Sequence, residues 1–164
     1  LATADWFAFY AQRFDTVARL IEKSGLGCTR RSELASIDAC PSAVVFLGDS
    51  MGEMFLYFAM SDVAFVGGSL VAVGGHNVLE PAALALPVLF GPHMHNFVAA
   101  RDLLLQTGAA EQVVEAAALA PAVLALLSDA PRAVAMGAAG ASAVAANRGA
   151  LARLLALLEA RESG

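Results

Sequence analysis

Three short apolar runs, each cut off by glycine, constrain this chain more than any other feature of its sequence. Val44-Val45-Phe46-Leu47 ends at Gly48-Asp49, Ala64-Phe65-Val66 at Gly67-Gly68-Ser69, and Pro87-Val88-Leu89-Phe90 at Gly91-Pro92. A short apolar run without polar alternation suits a strand covered on both faces, as in a parallel sheet. Stretches with helical spacing lie between the runs, so strand, glycine turn and helix recur. That order predicts an α/β fold, a Rossmann-like parallel sheet flanked by helices. A length of 164 residues fits one domain over 1–164, and no stretch is linker-like enough to divide it.

The helical stretches can be placed from their punctuation. Residues 13–24 put Phe14, Val17, Leu20 and Ile21 on one stripe, and Gly25 closes that helix. Residues 26–31 suit a short strand. Ser50 and Glu53 have capping-box spacing, opening a helix through about Met60. Pro81 suits the first residue of a short helix, with Glu80 as its cap. Asn96 can cap a helix to about Gln106, and 110–114 reads as a weak edge strand. Three helices are expected over 116–128, 131–145 and 148–161, the last with Leu151, Leu154, Leu155 and Leu158 at helical spacing.

Composition excludes several classes. The net charge is -5 and the only adjacent basic pair is Arg30-Arg31, whereas a nucleic-acid reader carries a basic stripe. The longest window free of Asp, Glu, Lys and Arg, residues 81–100, is crossed by Pro81, Pro87, Pro92, His93, His95 and Asn96. It does not suit a membrane-spanning helix. Residues 1–10 hold an acid where a signal peptide has basic residues, so no targeting segment is expected there. Cys28 and Cys40 lack metal or redox spacing.

In an open parallel sheet, ligands sit outside the carboxyl ends of the strands. Glycines there let backbone N–H groups approach an anion. Neither a P-loop nor a correctly placed dinucleotide fingerprint is present. For any single loop the competing reading is a plain connecting turn. The densest polar stretch is Gly74-Gly75-His76-Asn77-Val78-Leu79-Glu80. His76 is either a donor to phosphate or carboxylate oxygens or a solvent-facing loop histidine. Glu80 either takes two ribose hydroxyls or caps a helix. Asp49 and Ser50 are turn-makers or pocket groups, and Glu53 reads first as a capping partner. His93 and His95 lack a third ligand at sensible spacing, so no metal is expected. The aromatics Trp6, Phe7, Phe9 and Tyr10, and Phe55, Tyr57 and Phe58, read as packing residues.

Taken in order, Gly48-Asp49-Ser50-Met51-Gly52-Glu53, the 64–69 run, Gly74 to Ala82, Pro87 to His93 and Asn147-Arg148-Gly149-Ala150 closely resemble a known family. They are similar to the C-terminal half of bacterial 3-deoxy-D-manno-octulosonic acid (Kdo) transferases, from about residue 13 to 159. The resemblance implies the C-terminal, donor-binding lobe of a two-lobed GT-B glycosyltransferase. Such enzymes move Kdo from CMP-Kdo to a lipid A precursor at the cytoplasmic face of the bacterial inner membrane, with inversion and no cofactor or donor-site metal. By position, Ser50, Met51, Gly52 and Glu53 would lie near the cytidine and Glu80 would take the ribose. Gly67, Gly68, Ser69, Gly74, Gly75, His76, Asn77, Gly91, Pro92 and His93, with Asn96, would surround the phosphate and the Kdo carboxylate. Fixed N–H donors, His76 and a helix dipole would then stabilise the charge that builds on departing CMP.

The family's catalytic carboxylate, acceptor groove and membrane anchor belong to the N-terminal lobe, so these residues alone are expected to be inactive. Residues 1–11 depart from the family's Pro-Arg-His-type turn. The alternatives are a GT-B lobe that uses a UDP-sugar and a non-catalytic Rossmann-like interaction domain.

Overall fold

The computed structural model describes residues 13–35 and 45–162, with side chains only as far as residue 147. Trp6, Phe7, Phe9, Tyr10, Cys40 and Val44 lie outside what it describes, as do the side chains of the leucines of 151–158. The chain forms two compact units, residues 1–61 and 62–164. In order, the elements are α1 (Phe14–Lys23), β1 (Cys28–Arg30), a 3-10 turn (Arg31–Glu33), β2 (Val45–Leu47) and α2 (Met54–Ala59) in the first unit. The second holds β3 (Ala64–Val66), α3 (Leu79–Ala83), β4 (Val88–Phe90), α4 (Val98–Gln106), β5 (Ala110–Gln112), α5 (Ala116–Ser128) and α6 (Ala130–Glu162).

Among the described residues all strand pairing is parallel, as expected for runs separated by helices. In the first unit β1 pairs with β2, Cys28 opposite Val45 and Arg30 opposite Leu47. Phe14, Ala18 and Leu47 make its core, with Val17 and Cys28 packed against them. The buried stripe of α1 therefore falls at Phe14, Val17, Ala18 and Ile21. Leu20, expected on that stripe, is 58% exposed, because six residues from Phe14 carry it well round the helix. Gly25, at φ 79°, closes α1. Its N–H bonds the Glu22 carbonyl while Leu26 N–H reaches back to Ile21, the paired bonds of a Schellman motif.

In the second unit the strand order is β3-β4-β5, so β5 is an edge strand as expected. Central β4 explains its own sequence. Val88 and Phe90 pack with Val78, Ala82 and Leu104, whereas Leu89 packs with Val113, Leu126 and Met136. Both faces are covered, and no polar residue is tolerated in the run. Helix α6 lies against α3. A Cβ on Gly137 would overlap the carbonyl of Ala85, and one on Gly140 would sit 3.2 Å from the Ala82 Cβ. Ala85 itself ends α3 in the left-handed region at φ 58°, with Leu86 N–H bonded to Pro81 O at 3.2 Å.

Several helix limits differ from the expected ones. The capping box at Ser50–Glu53 does not form: Gly52, at φ 84°, turns the chain before the helix, and α2 begins only at Met54 without a side-chain cap. Glu80 is not a cap either, since α3 starts one residue earlier and Pro81 is its third residue. Proline is accepted there because the first four amides of a helix have no partner within it. Asn96 turns its amide to the Val73 carbonyl, and α4 starts at Val98 instead. The helices expected over 131–145 and 148–161 are one helix. Asn147 bonds back to the Ala143 carbonyl at 2.9 Å and does not cap a new start. Among the described residues no single helix is long and apolar enough to cross a membrane, and α5 meets α6 at a 100° bend.

Parallel pairing puts the carboxyl ends of β1 and β2 side by side, so Arg30 meets Asp49. Arg30 Nε bonds Asp49 Oδ2 at 2.7 Å, while Nη1 bonds Asp15 of α1. The Asp49 side chain is only 2% exposed. It also accepts the Ser32 N–H and hydroxyl, both at 2.7 Å. Burial opposes its ionisation, but the Ser32 bonds and Arg30 outweigh it and hold the carboxyl below its ordinary range. Asp49 is thus a turn-maker that ties the ends of two strands.

The sign of its pH dependence follows. A carboxyl with a lower pKa folded than unfolded adds stability in full above the unfolded value, about 3.9, and loses it as pH falls through the folded value. Asp49→Asn is expected to cost about 1–3 kcal/mol at pH 7. The gap between parent and variant should close on acidification below about pH 4. Urea unfolding at both ends of that range measures it, and a pH-independent gap would mean that the ionised pair is not its source.

Candidate functional site

In the second unit the loops after β3 and β4 leave the same end of the sheet, since Val66 stands opposite Phe90. One buried hydroxyl joins them. Ser69, 0% exposed, donates from Oγ to the Val66 carbonyl and accepts the Gly91 N–H at 2.8 Å. Its carbonyl accepts the His93 N–H at 2.9 Å. A Cβ on Gly91 would overlap that carbonyl, so the close approach of the two turns requires glycine. Ser69 therefore contributes its hydroxyl to the loop framework.

The Gly74-Gly75 turn is packed onto this framework. Gly75 N–H bonds the Gly68 carbonyl at 3.0 Å, and Asn96 N–H bonds Gly74 O at 3.2 Å. Both glycines have positive φ, 107° and 75°. A Cβ on Gly74 would overlap the Asn96 amide, and one on Gly75 the Met94 sulfur. Gly68, at φ 69°, lies beneath the His76 ring, with Nε2 at 3.3 Å from where a Cβ would stand. The loops so joined keep Gly67, His76, Pro92, His93, His95 and Asn96 exposed, while Gly74, Gly75 and Met94 are buried beneath. Asn77 and Glu80 are half-buried and bond one another, Nδ2 to Oε1, at 2.9 Å.

The Ser50–Glu53 turn belongs to the first unit. Glu53 Oε2 accepts the Ser50 hydroxyl and the Tyr57 hydroxyl at 2.9 Å, and Ser50 and Tyr57 are themselves 2.6 Å apart. Arg31 Nη2 bonds Glu53 Oε1 at 2.9 Å. The Ser50 and Tyr57 bonds, with a smaller effect from Arg31, hold the Glu53 carboxyl below its ordinary range despite some desolvation. Burial pushes the Tyr57 phenol up, and Glu53 adds to that. Gly48 serves this arrangement, since a Cβ there would stand 2.6 Å from the Tyr57 ring. Met51 projects outward, 70% exposed.

Four residues of these two loop systems were not readable as such from the sequence. Arg31 and Ser32 pair with acids far along the chain, and the signal was the isolated basic pair at 30–31. Tyr57 sits three residues after a helix start and looked like any core aromatic. Met94 is inward between two exposed histidines, an alternation that could have marked it. Among the described residues, no three His, Cys, Asp or Glu side chains gather as metal ligands.

Known proteins match this chain closely, although no family model does. A 3-deoxy-D-manno-octulosonic acid transferase of Haemophilus influenzae is 44% identical over 153 residues, covering 92% of this chain and 35% of that protein. One of Bordetella pertussis is 42% identical over 151 residues, covering 92% and 35%. The chain thus spans about a third of the length of these curated relatives. The crystal structure of the C-terminal CMP-Kdo binding domain of WaaA from Acinetobacter baumannii superposes with a TM-score of 0.76 at 36% identity. That match covers 82% of this chain and 69% of that one. With fold and sequence agreeing over most of its length, the chain belongs to the 3-deoxy-D-manno-octulosonic acid transferase family, in the part that corresponds to the C-terminal domain.

Proposed function

We propose that this chain is a single donor-binding lobe that holds CMP-Kdo for transfer of Kdo to a lipid A precursor at the inner membrane. The observation that carries the reading is the set of three turns locked together at one end of β3 and β4, beside a half-buried acid, Glu80. Its likeness to a domain described as CMP-Kdo binding supports it. In this reading the turns at 67–69, 74–77 and 91–93, with Asn96, surround the phosphate and the Kdo carboxylate. Glu80 accepts ribose hydroxyls. Ser69 serves through its backbone, because its hydroxyl is already spent on the loops.

The chemistry asked of such a lobe is modest. The bond between the Kdo anomeric carbon and a phosphate oxygen breaks, the electron pair leaves with CMP, and negative charge grows on the phosphate. Backbone N–H groups in rigid glycine turns and the His76 ring meet that charge without reorganising, which is where preorganised donors act most strongly. The base that takes the acceptor's proton is assigned to residues other than these.

Two outcomes are expected. CMP binds the chain more tightly than UMP, and does so in excess EDTA, as read by titration calorimetry. Binding that disappears on chelation removes the metal-free part of the reading, and a preference for UMP points to a UDP-sugar lobe. Glu80→Gln should weaken CMP by about 1–3 kcal/mol, the range for a hydrogen bond to a charged group. Because Glu80 is not a cap, its unfolding midpoint should hardly move. Unchanged CMP affinity in that variant takes Glu80 out of the site.

A further inference from the structure

Asn77 holds two groups at once. Its Oδ1 accepts the N–H of Leu79, the first residue of α3, at 3.0 Å. Its Nδ2 donates to Glu80 Oε1 at 2.9 Å. A backbone N–H can only donate, so the first bond decides which end of the amide faces the helix. The other end then presents its N–H to the carboxylate. The orientation needs no further assumption.

This arrangement has a consequence for Glu80. A glutamate side chain left half in water samples several rotamers, and stilling it costs on the order of 1–2 kcal/mol. Asn77, itself fixed by a backbone bond, bears that cost before any ligand arrives. It occupies one position on Oε1. A carboxylate has about four acceptor positions, so Oε2 and the rest of Oε1 stay available to a pair of neighbouring hydroxyls.

We propose that Asn77 is a positioning residue that aims the Glu80 carboxylate at the vicinal diol of the nucleotide's ribose. The proposal rests on the assignment of Glu80 to the ribose made above and goes beyond it. Asn77 then sets selectivity for a ribonucleotide without touching the sugar. A purely structural Asn77 would only start α3, and the two roles can be separated by substitution. Asn77→Asp keeps an oxygen for the Leu79 N–H but turns a carboxylate toward Glu80. Asn77→Ser keeps a good helix-start oxygen but is too short to reach Glu80 and adds no charge.

The test compares CMP with 2′,3′-dideoxyCMP by calorimetry on the 164-residue chain and both variants, with thermal midpoints as a check of folding. The parent should prefer CMP on the order of tenfold or more, the equivalent of one charged hydrogen bond. Both variants should stay folded and lose most of that preference, CMP weakening by far more than 2′,3′-dideoxyCMP. A preference that survives in both variants overturns the proposal and leaves CMP binding standing. Equal losses for the two nucleotides overturn it too, since they mean that Asn77 supports the loop as a whole. A parent that binds both equally removes Glu80 from the ribose, and the proposal with it. A parent that binds neither overturns the donor-lobe reading itself.

Discussion

The second unit depends on one buried hydroxyl. Neighbouring strands in a parallel sheet share ladder bonds, but the turns that leave them do not, and nothing in the ladder holds those turns at a set distance. Ser69 supplies what is missing by bonding its own strand's last carbonyl and the Gly91 amide of the next. Gly91 makes this possible by having no side chain in the way. Every later contact builds on that spacing: Gly75 on Gly68, His93 on Ser69, Asn96 on Gly74. A buried amide left without its acceptor costs about 1–3 kcal/mol, so the joint is also expensive to open.

The first unit secures its loops by charge. Arg30 and Arg31 stand at the end of β1 and reach acids that follow β2, Asp49 and Glu53. The two pairs differ in setting. Asp49 is nearly enclosed and accepts one bond from Arg30 and two from Ser32, whereas the Glu53 side chain is 27% exposed. Enclosed pairs depend on complete hydrogen bonding to offset desolvation, and exposed pairs contribute little. Asp49 thus belongs to the scaffold. Glu53 holds the shape of a turn whose Met51 faces water.

What the sequence made legible was its punctuation. Apolar runs ended by glycine marked β2, β3 and β4 almost to the residue, because burial on both faces leaves a run no polar freedom. The family resemblance rested on the same glycine turns and agrees with the relatives found. Helix starts were harder. Ser50, Glu80 and Asn96 all looked like caps, yet each has its side chain engaged elsewhere. Cap chemistry and loop chemistry use the same residue types, and only tertiary contacts decide between them. The distant partners of Arg31 and Ser32, and the nearby ones of Tyr57, were out of reach for the same reason. The break expected between 145 and 148 is absent, and Asn147 there bonds back along a continuous helix.

Helix α3 is five residues long, far below the length at which a helix persists by itself in water. It endures because Asn77 engages its first amide, the left-handed turn at Ala85 closes its far end, and α6 presses Gly137 and Gly140 against its flank. Alanines or larger residues at those two glycines would push the supporting helix away. The orientation of Glu80 is thereby inherited from a distant stretch of chain. When α6 opens locally, α3 loses its buttress and melts with it, so the two should behave as one cooperative unit in native-state fluctuations. How long the carboxylate stays in place is then a property of the C-terminal helix rather than of the loop that carries it.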